Sequence, residues 1–124
     1  MRVRLLKQYK TLYDYLYGPA PPNLVPVAQA LRPLVEGNLH RRFPGHIKDG
    51  LTVGQIIGII ENSPANSTLA EMQPEVPKLR QFNDFAAAFH HNTEGKAARM
   101  SVTDGELQPW AKSALNFVHL GVMP

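Results

Sequence analysis

Apolar residues recur at spacings of three and four along most of the chain, and no segment alternates convincingly as a strand would. Leu5, Leu6, Tyr9, Leu12, Tyr13 and Leu16 predict a first helix over residues 3–17. Tyr15 and Tyr17 broaden its apolar stripe, which suits packing on two neighbours; the alternative is an arm that docks on a partner chain. Gly18-Pro19-Ala20-Pro21-Pro22 ends this helix, since proline cannot continue the hydrogen-bond ladder. The linker divides the chain into an N-terminal helix, 1–17, and a helical domain, 23–124. A second helix starts at or just after Asn23 and reaches about Phe43, with Val27, Leu31, Leu34, Val35 and Leu39 as its core stripe. Pro26 fits a first turn. Pro33 should kink the helix or push its start later, at roughly 3 kcal/mol if it sits inside. Pro44-Gly45 closes it.

A third helix begins after Thr52, whose side chain pairs with Gln55 as a capping box. Ile56, Ile57, Ile59 and Ile60 make it the most apolar segment, which predicts a central position, and Gly54 and Gly58 permit close packing. Thr68 and Glu71 form a cap pair for a short helix or turn. Pro74 and Pro77 bracket the start of the fourth main helix, which holds Phe82, Phe85, Ala86 and Phe89 as an apolar stripe. Thr103 and Glu106 are a second capping box, with Val102 and Leu107 placed as a hydrophobic staple. The last helix carries Leu107, Trp110, Ala111, Ala114, Leu115 and Val118 inward, and Gly121 suits its stop. The fold class is therefore all-α, a bundle of four to five helices with proline-marked loops.

Composition narrows the chemistry. At 124 residues the chain suits one compact domain with a real core. It has no cysteine, which removes disulfides, thiolate zinc sites and a cysteine nucleophile. Thirteen Lys and Arg against ten Asp and Glu give +3, a balance that permits an anionic partner without demanding one. No apolar run approaches the ~18 residues of a membrane span. The polar residues Lys7 to Lys10 interrupt any signal-peptide core, so a soluble, cytoplasmic protein is expected.

Two stretches carry candidate chemistry. Arg32, Glu36 and His40 stand four apart in one polar row, followed by Arg41 and Arg42. On the fourth helix Asn83, Ala87 and His90 share a side, with Asp84 and His91 beside them. Histidines in a last helical turn also meet the negative end of the dipole and often do nothing further. Adjacent histidines leave a helix about 100° apart, so His90 and His91 are poor partners for one metal ion, and no metal or other cofactor is expected. GxxxxGK[ST], HExxH and a serine elbow are missing from the sequence, which argues against an ATPase, a zinc protease and a serine hydrolase in this chain.

Leu34-Val35-Glu36-Gly37-Asn38-Leu39-His40-Arg41-Arg42-Phe43-Pro44-Gly45, then Phe82-Asn83-Asp84 leading to Phe89-His90-His91-Asn92-Thr93, Thr103-Asp104-Gly105-Glu106-Leu107 and Asn116-Phe117-Val118 resemble, in this order, a known bacterial region. It is the C-terminal region of SMC/ABC-like AAA ATPases related to phage-exclusion anticodon nucleases. The resemblance covers roughly residues 28–120 and implies a HEPN domain, a four-helix fold with many metal-independent ribonucleases and inactive descendants. It implies a role in a defence or toxin system, RNA (tRNA included) as partner, a homodimer, and an ATPase partner domain encoded apart from this chain or severed from it. It assigns catalysis to Arg32, Glu36 and His90 or His91, and substrate binding to Asn83, Asp84, His40, Arg41 and Arg42. The usual HEPN signature sets Arg and a polar residue before the histidine; Asn83-Asp84 stand in that place here.

Metal-free RNA cleavage needs a base for the 2′-OH, an acid for the leaving oxygen and a cation at the phosphate. A histidine, Arg32 and Glu36 supply those groups. The competing reading makes Arg32 and Glu36 an ordinary exposed helix pair worth about 0.3 kcal/mol. On the catalytic reading Arg32→Ala is expected to leave thermal stability nearly unchanged. A non-catalytic dimerisation or docking module is the alternative to the ribonuclease.

Overall fold

The computed structural model describes residues 2–19, 21, 23–90 and 102–120, with backbone only for 2–6, 90 and 120. Among these residues there are five α-helices and one 3₁₀ helix, without a strand. They are α1 (Arg2–Tyr17), α2 (Val25–Arg42), α3 (Val53–Glu61), the 3₁₀ segment Thr68–Glu75, α4 (Val76–His90) and α5 (Asp104–Leu120). None is long and apolar enough to cross a membrane.

The starts of these helices follow their side chains. Asn23 Oδ1 accepts the Val25 N–H at 3.1 Å and opens α2, with Pro26 in the first turn. Both halves of the Thr52–Gln55 capping box form at α3. At α5 the Thr103 N–H donates to Glu106 Oε1 at 3.1 Å, and the Glu106 N–H to Thr103 Oγ1 at 3.2 Å. Thr68 and Glu71 do not cap: Ser67 precedes the 3₁₀ segment, and its hydroxyl donates back to the Pro64 carbonyl at 2.7 Å. Pro33 lies inside α2, which begins at Val25 and continues through it despite the lost N–H. Gly45, at φ 81°, makes the turn after Phe43 that a residue with a Cβ would resist.

The hub is α2, which packs against α1, α3, α4 and α5. Its sequence explains this, since Val27, Ala28, Leu31, Leu34, Val35 and Leu39 are buried over a wide arc. The expectation that α3 is central fails. Ile56, Ile57 and Ile60 are buried but Ile59 is exposed, and nine residues reach mainly α4 and the 3₁₀ segment. Two bonds rivet α1 to α5. The Tyr15 hydroxyl donates to Asp104 Oδ1 at 2.6 Å, and Tyr9 and His119 Nε2 share a hydrogen bond at 2.6 Å. The pairs run in opposite chain order, so the two helices are antiparallel. Trp110 closes the aromatic core against Phe82 and Phe85, at 6.0 and 6.1 Å between ring centroids.

Candidate functional site

The polar row on α2 runs beneath the start of α3. Glu36 Oε2 accepts the Val53 N–H at 3.1 Å, so a carboxylate sits at the positive end of α3's dipole. One turn on, His40 Nε2 lies 3.0 Å from the Leu51 carbonyl. A carbonyl only accepts, so this contact puts the ring proton on Nε2. One turn back, Arg32 Nε stands 3.8 Å from the same Glu36 oxygen.

Arg32 is only 7% exposed, and its Nε has no hydrogen-bond partner among the described residues. The exposed helix pair expected from the four-residue spacing is therefore corrected. The reason is that α2 is the hub and is covered on several sides, and Arg32 falls under that cover. With Arg32 buried, the expectation that Arg32→Ala spares stability goes too. A buried guanidinium with a loose counter-ion is costly, because its desolvation is not fully offset. Glu36 is more open, with 29% of its side chain accessible.

Asn83 brings α4 to the same place. A Cβ on Gly54 would lie 3.3 Å from Asn83 Nδ2, so the amide packs directly on the first turn of α3. Its Oδ1 is buried and unpartnered among the described residues. Gly54 thus gives the close approach anticipated for it, whereas Gly58 faces open space.

Of the expected site residues, Arg32, Glu36, His40 and Asn83 gather around the N-terminus of α3. Asp84 and Arg41 are exposed and make none of these contacts. Arg42 lies with its guanidinium over Phe43 and Phe117, at 5.3 and 5.5 Å from the ring centroids. His90 ends α4; its side chain and the whole of His91 lie outside the described residues. Asn38 was missed as a polar core residue. It is buried, with its Oδ1 unpartnered among the described residues, and the signal was a polar residue four and seven positions after Leu34 and Leu31 on the core stripe. An open cleft of about 410 Å³ lies elsewhere, between α1 and the start of α2, and none of the polar row lines it.

Comparison with protein-family models, with curated proteins and with solved structures gives no match.

Proposed function

We propose that this chain is a HEPN-like RNA-binding domain that cleaves RNA without a metal, in a bacterial defence or toxin system. The observation that carries this reading is Arg32: a cation only 7% exposed, whose Nε has no hydrogen-bond partner among the described residues, set against Glu36 at a helix start. A phosphate is the natural complement of a guanidinium, since it accepts two parallel hydrogen bonds. In this scheme Arg32 steadies the charge that develops on the phosphate. Glu36 offsets the charge of Arg32 at 3.8 Å, while its Oε2 also accepts the Val53 N–H. One of His90 and His91 takes the 2′-OH proton and returns it to the leaving oxygen. Asn83, on α4 beside the first turn of α3, supplies an amide to the bound strand.

The test is to incubate purified protein with total tRNA in EDTA. Cleavage should leave 2′,3′-cyclic phosphate ends, weaken with salt, and spare DNA, which lacks the nucleophile. His90→Ala and His91→Ala should differ, with the catalytic one losing about 10²–10⁴ in rate. Arg32→Lys keeps the charge but loses the fork, and should lose most activity. Cleavage that survives in the double histidine variant ends the catalytic assignment. A wild type that neither cuts nor binds tRNA leaves the non-catalytic module that docks on an ATPase partner.

A further inference from the structure

Tyr9, Tyr13 and Tyr17 follow one another at four-residue steps along α1, and their rings touch in sequence. Tyr9 and Tyr13 are nearly parallel, 16° between planes at 6.2 Å, and Tyr13 and Tyr17 are 4.8 Å apart. Tyr13 is 48% exposed and Tyr17 67%. The ladder is fixed at its foot, where the His119 ring meets Tyr9 edge-on at 5.5 Å and shares its hydrogen bond. Leu12 and Tyr15 hold the opposite side of α1 in the core, and Tyr15 is tied to Asp104. The helix therefore cannot roll to bury its outer rings without breaking both rivets.

Charge distribution adds an independent observation. Arg2, Arg4, Lys7 and Lys10 against Asp14 give α1 a net +3, the whole formal charge of the protein; the remaining nine basic and nine acidic residues cancel. Lys7 and Lys10 are exposed on the same helix, and Lys10 stands one turn before Tyr13. Lys10 Nζ meets Asp14 at 2.7 Å in an exposed pair, which a phosphate can displace at little cost.

We propose that the outer face of α1 is a stacking strip for single-stranded nucleic acid, with bases laid on the exposed tyrosine rings and phosphates on the lysines. Rings beside a cationic stripe are what sequence-tolerant single-strand binding uses. A protein partner fits less well, because lysine is depleted in protein interfaces. A duplex fits less well, because its base faces are already stacked. The strip stands on α1 alone and does not depend on the Arg32 assignment.

The test uses a labelled oligothymidylate and fluorescence anisotropy. A DNA strand cannot react through a 2′-OH, so the measurement is separate from cleavage. Wild type should bind the single strand more tightly than a duplex of equal length. Tyr13→Ala with Tyr17→Ala should weaken binding about ten-fold or more, with an unchanged melting temperature, since both rings are exposed. Tyr13→Phe with Tyr17→Phe should restore it, because stacking needs the ring and not the hydroxyl. Lys7→Ala with Lys10→Ala should flatten the salt dependence by roughly 0.7 in logarithmic slope per lost phosphate contact. No binding by wild type, or undiminished binding by the double alanine variant, overturns the proposal. So does a double alanine variant that changes only the sedimentation of the protein, which would assign the face to a second copy of the chain.

Discussion

Tyr15 shows how one hydroxyl can make stability depend on pH. Burial first, and then the hydrogen bond to Asp104 and that carboxylate's charge, raise its pKa from 10.0 to about 12. The unfolded chain releases this proton near pH 10 and the folded chain near 12. In that window the unfolded state binds fewer protons, so the contribution is complete below pH 10 and is lost as pH rises towards 12. Thermal melts from pH 9 to 12 should fall steeply for wild type. They should fall less for Tyr15→Phe, which at pH 8 starts about 1 kcal/mol less stable through the lost bond. Arg32 makes the opposite case. Arg32→Met keeps the volume and removes a poorly compensated buried charge, so urea unfolding should find it as stable as wild type or more so. Arg32→Ala opens a void and should cost about 2 kcal/mol. A methionine variant markedly weaker than wild type would show that the ion pair with Glu36 is there to hold the fold.

At the scale of the element, α3 is the informative helix. Nine residues are too few to be helical alone, so its ends and contacts must hold it. Thr52→Ala removes the capping box and should cost about 1 kcal/mol in chemical denaturation. The two glycines should behave differently. Gly58→Ala meets nothing within 4 Å and should gain roughly 0.5–1 kcal/mol from helix propensity. Gly54→Ala must move the Asn83 amide and should gain less or lose.

Much of this architecture was legible in the sequence because caps and stripes act over four residues. The stripes of α2 and α4 and both capping boxes are local patterns, and they reappear as written. What was illegible depends on neighbours far away in the chain. The α1 stripe was read through Tyr13 and broadened by Tyr15 and Tyr17; Tyr15 is buried, with its hydroxyl on Asp104, 89 residues on, whereas Tyr13 and Tyr17 are exposed. Phe117 is fully buried but fell outside the stripe read for α5, since α2 covers a wider arc of that helix than one seam. Of the candidate site, the Arg32–Glu36–His40 row was legible from its four-residue spacing. The burial of Arg32, and the arrival of Asn83, follow from how α2, α3 and α4 meet.

For the whole molecule, the proposed HEPN-like reading predicts a homodimer with α4 near the two-fold axis, where Asp84 and Ala88 are exposed. Sedimentation should give a dimer at tens of micromolar, and Ala88→Arg should yield monomers without lowering helicity; a wild type that stays monomeric would remove this assembly. The concentration of all net charge on α1 has a further, colloidal consequence. The formal net charge falls on α1, and the remaining basic and acidic residues are equal in number. A polyanion that covers α1 should therefore neutralise the formal net charge of the complex. Turbidity on titration with such a polyanion should peak near three phosphate charges per chain, the protein's formal +3, and clear again as excess strand recharges the particles.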